Sequence, residues 1–213
     1  MHRRVYAGLS ETALQTISLW LPIQHFASRA SCQHWAKAAV NDMGSRMVVS
    51  GSGTEGFNPD QEITRAEFAA IMVRGLGLKL EGGSSPFADV KTTDWYNSVI
   101  QTANAHRLIS GFEDGSFRPM DKITREQAMA IITRAMAITG LAASLPAQAA
   151  GEQLSPFADA GSASEWAKDS IADCLQAGIV TGRNSTELAP KAYISRAEVA
   201  AIVQRLLQKS ELI

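Results

Sequence analysis

One five-residue pattern occurs three times in this chain, and a chain that repeats itself is constrained to fold repetitively. Ile63-Thr64-Arg65-Ala66-Glu67 returns as Ile123-Thr124-Arg125-Glu126-Gln127 and as Ile194-Ser195-Arg196-Ala197-Glu198. Aligning the three arginines brings other residues into register. Trp35, Trp95 and Trp166 each stand thirty positions before their arginine, and Gly51, Gly111 and Gly182 stand fourteen before it. Phe57, Phe117 and Leu188 hold the position eight before, and Pro59, Pro119 and Pro190 the position six before. Fixed internal spacing predicts one folded plan executed three times, with no unit able to cover its own apolar face alone.

Each copy of the pattern reads as the start of a helix. A hydroxyl residue at the N-cap is followed three positions later by Glu or Gln, which can reach back to the cap's own N–H, so the pattern is a capping box. Between them, Arg65, Arg125 and Arg196 occupy the first helical position. Free N–H groups make a helix N-terminus electropositive and disfavour a cation there by a few tenths to about 1 kcal/mol. Two readings follow. Helix N–H groups plus a guanidinium form a forked receptor for a carboxylate or phosphate, with the arginine itself exposed and contributing little to stability; or each arginine pairs with an Asp or Glu within the fold.

The helix opened by each box is apolar nearly all round, as in Ala66, Phe68, Ala69, Ala70, Ile71, Met72 and Val73, or Ala197, Val199, Ala200, Ala201, Ile202 and Val203. Such a helix is buried. A second helix follows each Trp: Trp95, Val99, Ile100 and Ala103 recur at helical spacing, as do Trp166, Ser170, Ile171 and Cys174. Between the two lies a loop, Leu108 to Pro119 in the second unit, with two glycines and a proline. The expectation is an all-α fold of three helix-loop-helix repeats, with three alanine-rich central helices ringed by the Trp helices and loops. The repeats are placed at 26–79, 80–139 and 155–213. Residues 1–25 are unassigned, and the Ala-rich stretch 140–154 is a linker or an exposed helical extension that lengthens the second period.

Composition narrows the function classes. With 20 basic and 21 acidic residues the formal net charge is −1, which offers no field to hold nucleic acid or an anionic membrane. Any anion binding must be local. Cys32 and Cys174 lie in unrelated contexts, and His2, His25, His34 and His106 are scattered, so no metal, disulfide or nucleophile arrangement is read. No cofactor is implied. No apolar run reaches the roughly 18 residues that span a bilayer. The start, Met1-His2-Arg3-Arg4, has the basic flavour of a signal peptide, but Ser10, Glu11, Thr12 and Gln15 interrupt the apolar stretch that should follow; no signal peptide is evident, and residues 10–23 read as a short amphipathic helix or a poorly ordered segment.

Phe87-Ala88-Asp89, Trp95-Tyr96, the run from Gly111 to Pro119, and Ile123 to Gln127 together, with parallel sets in the other units, resemble the S-layer homology family. The resemblance covers about residues 26 to 209. It implies a monomeric pseudo-threefold prism around a central three-helix bundle, acting as a non-catalytic anchor in the cell wall or S-layer of a secreted protein. The implied partner is a secondary cell-wall polysaccharide whose terminal N-acetylmannosamine carries a pyruvate ketal, held in grooves between neighbouring repeats. The capping-box arginines would take the ketal carboxylate, the tryptophans could stack on sugar, and the loop glycines would let the backbone approach. Departures from the pattern are Phe26-Ala27-Ser28 and the Ser50 to Gly56 loop in the first unit, Arg183 to Ala189 and Ser195 in the third, and Gln127 for Glu in the second.

Plainer roles are also expected. Aromatic residues on amphipathic helices usually bury, so core packing is the favoured role for Trp35, Trp95 and Trp166, with one face left to line a groove. Asp89 and Asp159 cap helices or close turns, and Lys37 and Lys168 face solvent. A glycoside hydrolase using paired carboxylates and a protein-binding helical repeat stand as alternatives.

Overall fold

The computed structural model describes residues 34–51, 56–146 and 150–213. The expected helix at 10–23, Phe26-Ala27-Ser28 and Cys32 lie outside the described residues. Seven α-helices occur among those described: α1 (Lys37–Ser45), α2 (Arg65–Gly75), α3 (Asn97–Ala105), α4 (Arg125–Ile138), α5 (Ala150–Leu154), α6 (Lys168–Gln176) and α7 (Arg196–Lys209). The fold is all-α, as the periodicity requires. Helices α2, α4 and α7 are the central ones, and each opens with the complete capping box: the Thr64, Thr124 or Ser195 hydroxyl accepts from the N–H of Glu67, Gln127 or Glu198, whose side chain accepts in return from the cap's N–H.

The residue before each cap makes a closed ring. Ile63 N–H donates to the Ile194 carbonyl, Ile194 N–H to that of Ile123, and Ile123 N–H to that of Ile63, at 3.1 to 3.2 Å. All three isoleucines are buried. Single antiparallel bridges flank the ring at Glu62 and Ser195, Thr64 and Lys122, and Thr124 and Tyr193. Three repeats therefore meet around one pseudo-threefold axis.

The next two N–H groups of each central helix also leave their own repeat. Arg65 and Ala66 donate to the carbonyls of Asp121 and Pro119, Arg125 and Glu126 to those of Ala192 and Pro190, and Arg196 and Ala197 to those of Gln61 and Pro59. With the capping box, all four orphan donors of each helix start are satisfied.

The outer helices continue the interlock. Helix α3 packs on α2, α6 on α4 and α1 on α7, so every outer helix covers the central helix of the repeat before it, and the first repeat covers the last. The residues they bury keep helical spacing: Ala36, Val40 and Met43; Tyr96, Val99, Ile100 and Ala103; Ala167, Ile171 and Cys174. Gln204 on α7 donates to Asp42 on α1 at 2.7 Å and fastens the closing contact. These faces and the central helices form one hydrophobic cluster.

The Ala-rich stretch does not hang free. A 3-10 turn at Leu141–Ser144 and the short α5 lie against the body, α5 packs on α6 and Leu154 is buried. Cys174 is buried, and burial pushes its thiol up to about 12.

The loops are held by carboxylates. Asp89 accepts from the N–H groups of Phe117 and Arg118 at 2.8 and 2.7 Å, and Asp159 from those of Leu188 and Ala189 at the same distances. Arg118 and Ala189 are left-handed, with φ of 56° and 54°, so two successive N–H groups converge on one carboxylate. Asp89 and Asp159 thus close turns, one of the two roles expected of them.

The glycines Gly111 and Gly182 serve this loop too. A Cβ on Gly182 would lie 2.5 Å from Phe157 and 2.4 and 2.7 Å from the carbonyls of Asn184 and Glu187, whereas one on Gly161 would meet nothing within 4 Å. We therefore expect Gly182→Ala to cost about 1–3 kcal/mol, the usual range for overpacking, and Gly161→Ala to be nearly neutral, as read from urea unfolding midpoints.

Candidate functional site

The nine residues singled out from the sequence gather into three grooves, and each groove draws on all three repeats. The first holds Arg65 of the first repeat, Gly111 of the second and Trp166 of the third. The second holds Arg125, Gly182 and Trp35, and the third Arg196, Gly51 and Trp95. This cyclic order follows from the interlock, since each arginine reaches into the loop of the next repeat while each Trp belongs to the repeat beyond. The first and second grooves enclose about 600 and 610 Å3 and the third about 200 Å3.

The arginines form the floors of these grooves and are not exposed as expected. Arg65, Arg125 and Arg196 retain 7%, 3% and 7% of their accessible surface. Each Nε donates to the carbonyl of the next repeat eight positions before its arginine: Arg65 to Phe117 at 2.9 Å, Arg125 to Leu188 at 3.0 Å, and Arg196 to Phe57 at 2.8 Å. Aromatic rings flank two of them, with Arg65 4.8 and 4.7 Å from the Phe112 and Phe117 centroids and Arg196 4.8 Å from that of Phe57. Burial lowers the pKa of all three, that of Arg65 to about 10, so they stay charged at neutral pH.

The expected receptor made of helix N–H groups does not form. Those groups are already donating to the neighbouring repeat or to the capping box, so only the guanidinium is left to meet a ligand. Here the three arginines differ. Arg125 also donates to Glu198 at 2.6 Å and to the Thr181 carbonyl at 3.1 Å. Arg196 donates to the Ser50 carbonyl and lies 3.9 Å from Glu67. For these two the reading of internal pairing holds. Among the described residues no hydrogen bond or ion pair is made by the terminal nitrogens of Arg65, whose groove carries Gln127 where the others carry Glu198 and Glu67.

The expected core role of the tryptophans is overturned. Trp35, Trp95 and Trp166 keep 63%, 58% and 58% of their surface. They sit just before the outer helix, where the residue that follows in sequence, Ala36, Tyr96 or Ala167, turns inward instead. The indoles stand at the groove mouths. The glycines line the grooves as well, but at Gly111 and Gly182 the close approach is made by the chain's own atoms. Lys168 meets Glu165 at 2.6 Å on the surface.

The same alignment holds a residue that the sequence reading passed over. Arg74, Arg134 and Arg205 each follow their capping-box arginine by nine positions and line the third, first and second grooves. Arg134 is braced by the Leu108 carbonyl and the Ser110 hydroxyl, and Arg205 by the Ile179 carbonyl. Nine residues is two and a half helical turns, which carries a side chain along the helix away from the first arginine.

The model of the S-layer homology domain matches residues 33–69, 86–129 and 156–200. The chain belongs to the S-layer homology domain family, and membership implies a cell-wall anchoring role at the cell surface. It is 38% identical over 180 residues to an amylopullulanase of Thermoanaerobacterium thermosulfurigenes, a match covering 83% of this chain and 9% of that protein. It is 38% identical over 178 residues to the exoglucanase XynX of Acetivibrio thermocellus, covering 83% of this chain and 16% of the relative. With the surface-layer 125 kDa protein of Lysinibacillus sphaericus it shares 29% identity over 211 residues, 96% of this chain and 17% of the other. The chain therefore spans less than a fifth of each of these relatives.

The buried pairing gives a prediction about stability. Arg125→Ala takes from Glu198 its 2.6 Å partner, leaving Arg183 at 3.6 Å, and leaves two carbonyls without their donor, so it should cost about 3 kcal/mol, the low end of the range for breaking a buried pair from one side. Arg65→Ala, which breaks one hydrogen bond to the backbone and two ring contacts but no ion pair, should cost clearly less. Chemical denaturation of the two variants side by side checks the order.

Proposed function

We propose that the chain anchors a protein to the cell wall by binding a pyruvylated secondary cell-wall polysaccharide in the inter-repeat grooves, as a non-catalytic and monomeric module. The observation that carries this reading is the composition of each groove: a buried, charged guanidinium at the floor, a second arginine along the central helix, and a largely exposed indole at the mouth. A pyruvate ketal places a carboxylate on an otherwise neutral sugar. An arginine held between aromatic rings with its terminal nitrogens open to the groove receives such a group with a charge-assisted bond worth about 1.5–3 kcal/mol. A sugar ring presents an apolar face to an exposed indole, and hydrogen-bond donors along the groove orient its hydroxyls.

Three grooves of common design fit a polymer with repeated termini better than one active centre. The hydrolase names belong to relatives of which this chain matches only a small part. Among the groove carboxylates, Glu67 and Glu198 are engaged by capping boxes and arginines and Asp114 by Ser116 and Arg118.

The test is co-sedimentation of the purified chain with native cell-wall sacculi, with sacculi stripped of the secondary polymer, and with sacculi whose polymer lacks pyruvate. Binding is expected to the first alone. Equal retention on all three would overturn the reading.

A further inference from the structure

Net charge does not distinguish the grooves. The first is lined by Arg65, Arg118 and Arg134 against Glu113 and Asp114, the second by Arg125, Arg183 and Arg205 against Asp60 and Glu198, and the third by Arg74 and Arg196 against Glu67. Among the described residues each carries one cation in excess. What differs is where the carboxylates sit.

In the second groove Glu198 contacts Arg125 at 2.6 Å and Arg183 at 3.6 Å. In the third, Glu67 stands 3.9 Å from Arg196. An incoming carboxylate must displace that acid or approach alongside it. In the first groove the acids are out on the loop. Asp114 is exposed and held by Ser116 and Arg118, at 2.6 and 2.8 Å, which keep its carboxyl far below the usual range. The carboxylates of Asp121 and Asp89 act on the Arg65 guanidinium through space, without a hydrogen bond.

Position three of the central helix makes the difference. Gln127 Oε1 accepts from the Thr124 N–H at 3.2 Å, which fixes the amide's orientation, so its Nε2 is left as a donor where the other grooves have a carboxylate. No described residue accepts from it. Arg65, with only 7% of its surface exposed, lines this groove, and among the described residues its terminal nitrogens have no hydrogen-bond partner.

We propose that the three grooves are not equivalent: the groove of Arg65, Gln127 and Arg134 is the one that takes the ligand's carboxylate, and Gln127 is the residue that opens it. Arg125 and Arg196 then act as structural ties between repeats. This rests on the reading that the grooves bind a pyruvylated sugar.

The test uses the full chain and two probes, methyl N-acetylmannosaminide carrying a pyruvate ketal and the same glycoside without it, in isothermal titration. The parent should bind one equivalent of the ketal with preference over the plain glycoside. Gln127→Glu installs the residue already present in the other two capping boxes, so it should fold, as circular dichroism will verify. It should weaken ketal binding roughly ten- to a hundredfold and so remove the preference for the ketal over the plain glycoside, a loss of discrimination that a merely structural defect would not produce. Arg65→Ala should lose the same preference. A parent that binds two or three equivalents alike, or a Gln127→Glu chain that binds the ketal like the parent, overturns the inference and leaves the anchoring reading standing. Absence of any ketal preference in the parent overturns both.

Discussion

Helix starts carry donors that must be satisfied, and here they are satisfied by another repeat. The N–H groups of the first turn of α2, α4 and α7 find the carbonyls of the next repeat's loop, and the isoleucine before each cap joins a three-membered ring of backbone bonds. A backbone group buried without a partner costs a few kcal/mol. No repeat can be withdrawn without orphaning donors in its neighbour, and each also takes with it the outer helix that covers the preceding core. The stability of the molecule therefore belongs to the ring and not to its members, and the grooves exist because the joints do.

The arginines show how a joint and a site come to share one residue. A cation at a helix start is out of place by the macrodipole alone. It is tolerated because its Nε replaces water on a carbonyl of the next loop, and in two repeats because a glutamate closes the pair. Where the glutamate is absent, the same buried charge has spare donors. One amide for one carboxylate thus leaves an arginine's terminal donors unpaired while the capping box stays intact.

The periodic features were legible in the sequence because they are local. Capping boxes, the apolar central helices and the loop glycines each follow from a few adjacent residues, and the Arg, Gly and Trp of common spacing are residues that the fold brings to the grooves. What was misread depends on which repeat a residue faces. Trp35, Trp95 and Trp166 lie in an amphipathic pattern whose inward positions are taken by Ala36, Tyr96 and Ala167. The arginines seemed exposed because nothing within their own repeat covers them; the cover is the next repeat's loop, 52 to 139 residues away. Arg74, Arg134 and Arg205 were in register all along, but an arginine on a helix that reads as buried gives no local sign that it reaches a groove.

The interlock also sets an order of assembly. The tie from Arg65 to Phe117 spans 52 residues and that from Arg125 to Leu188 spans 63. The ties that join the last repeat to the first span 139, 146 and 162. Entropy of loop closure and the slowness of non-local contacts place this joint last. Until it forms, the apolar face of α1 and the face of α7 that it covers both wait in water, two sticky edges that the finished ring conceals.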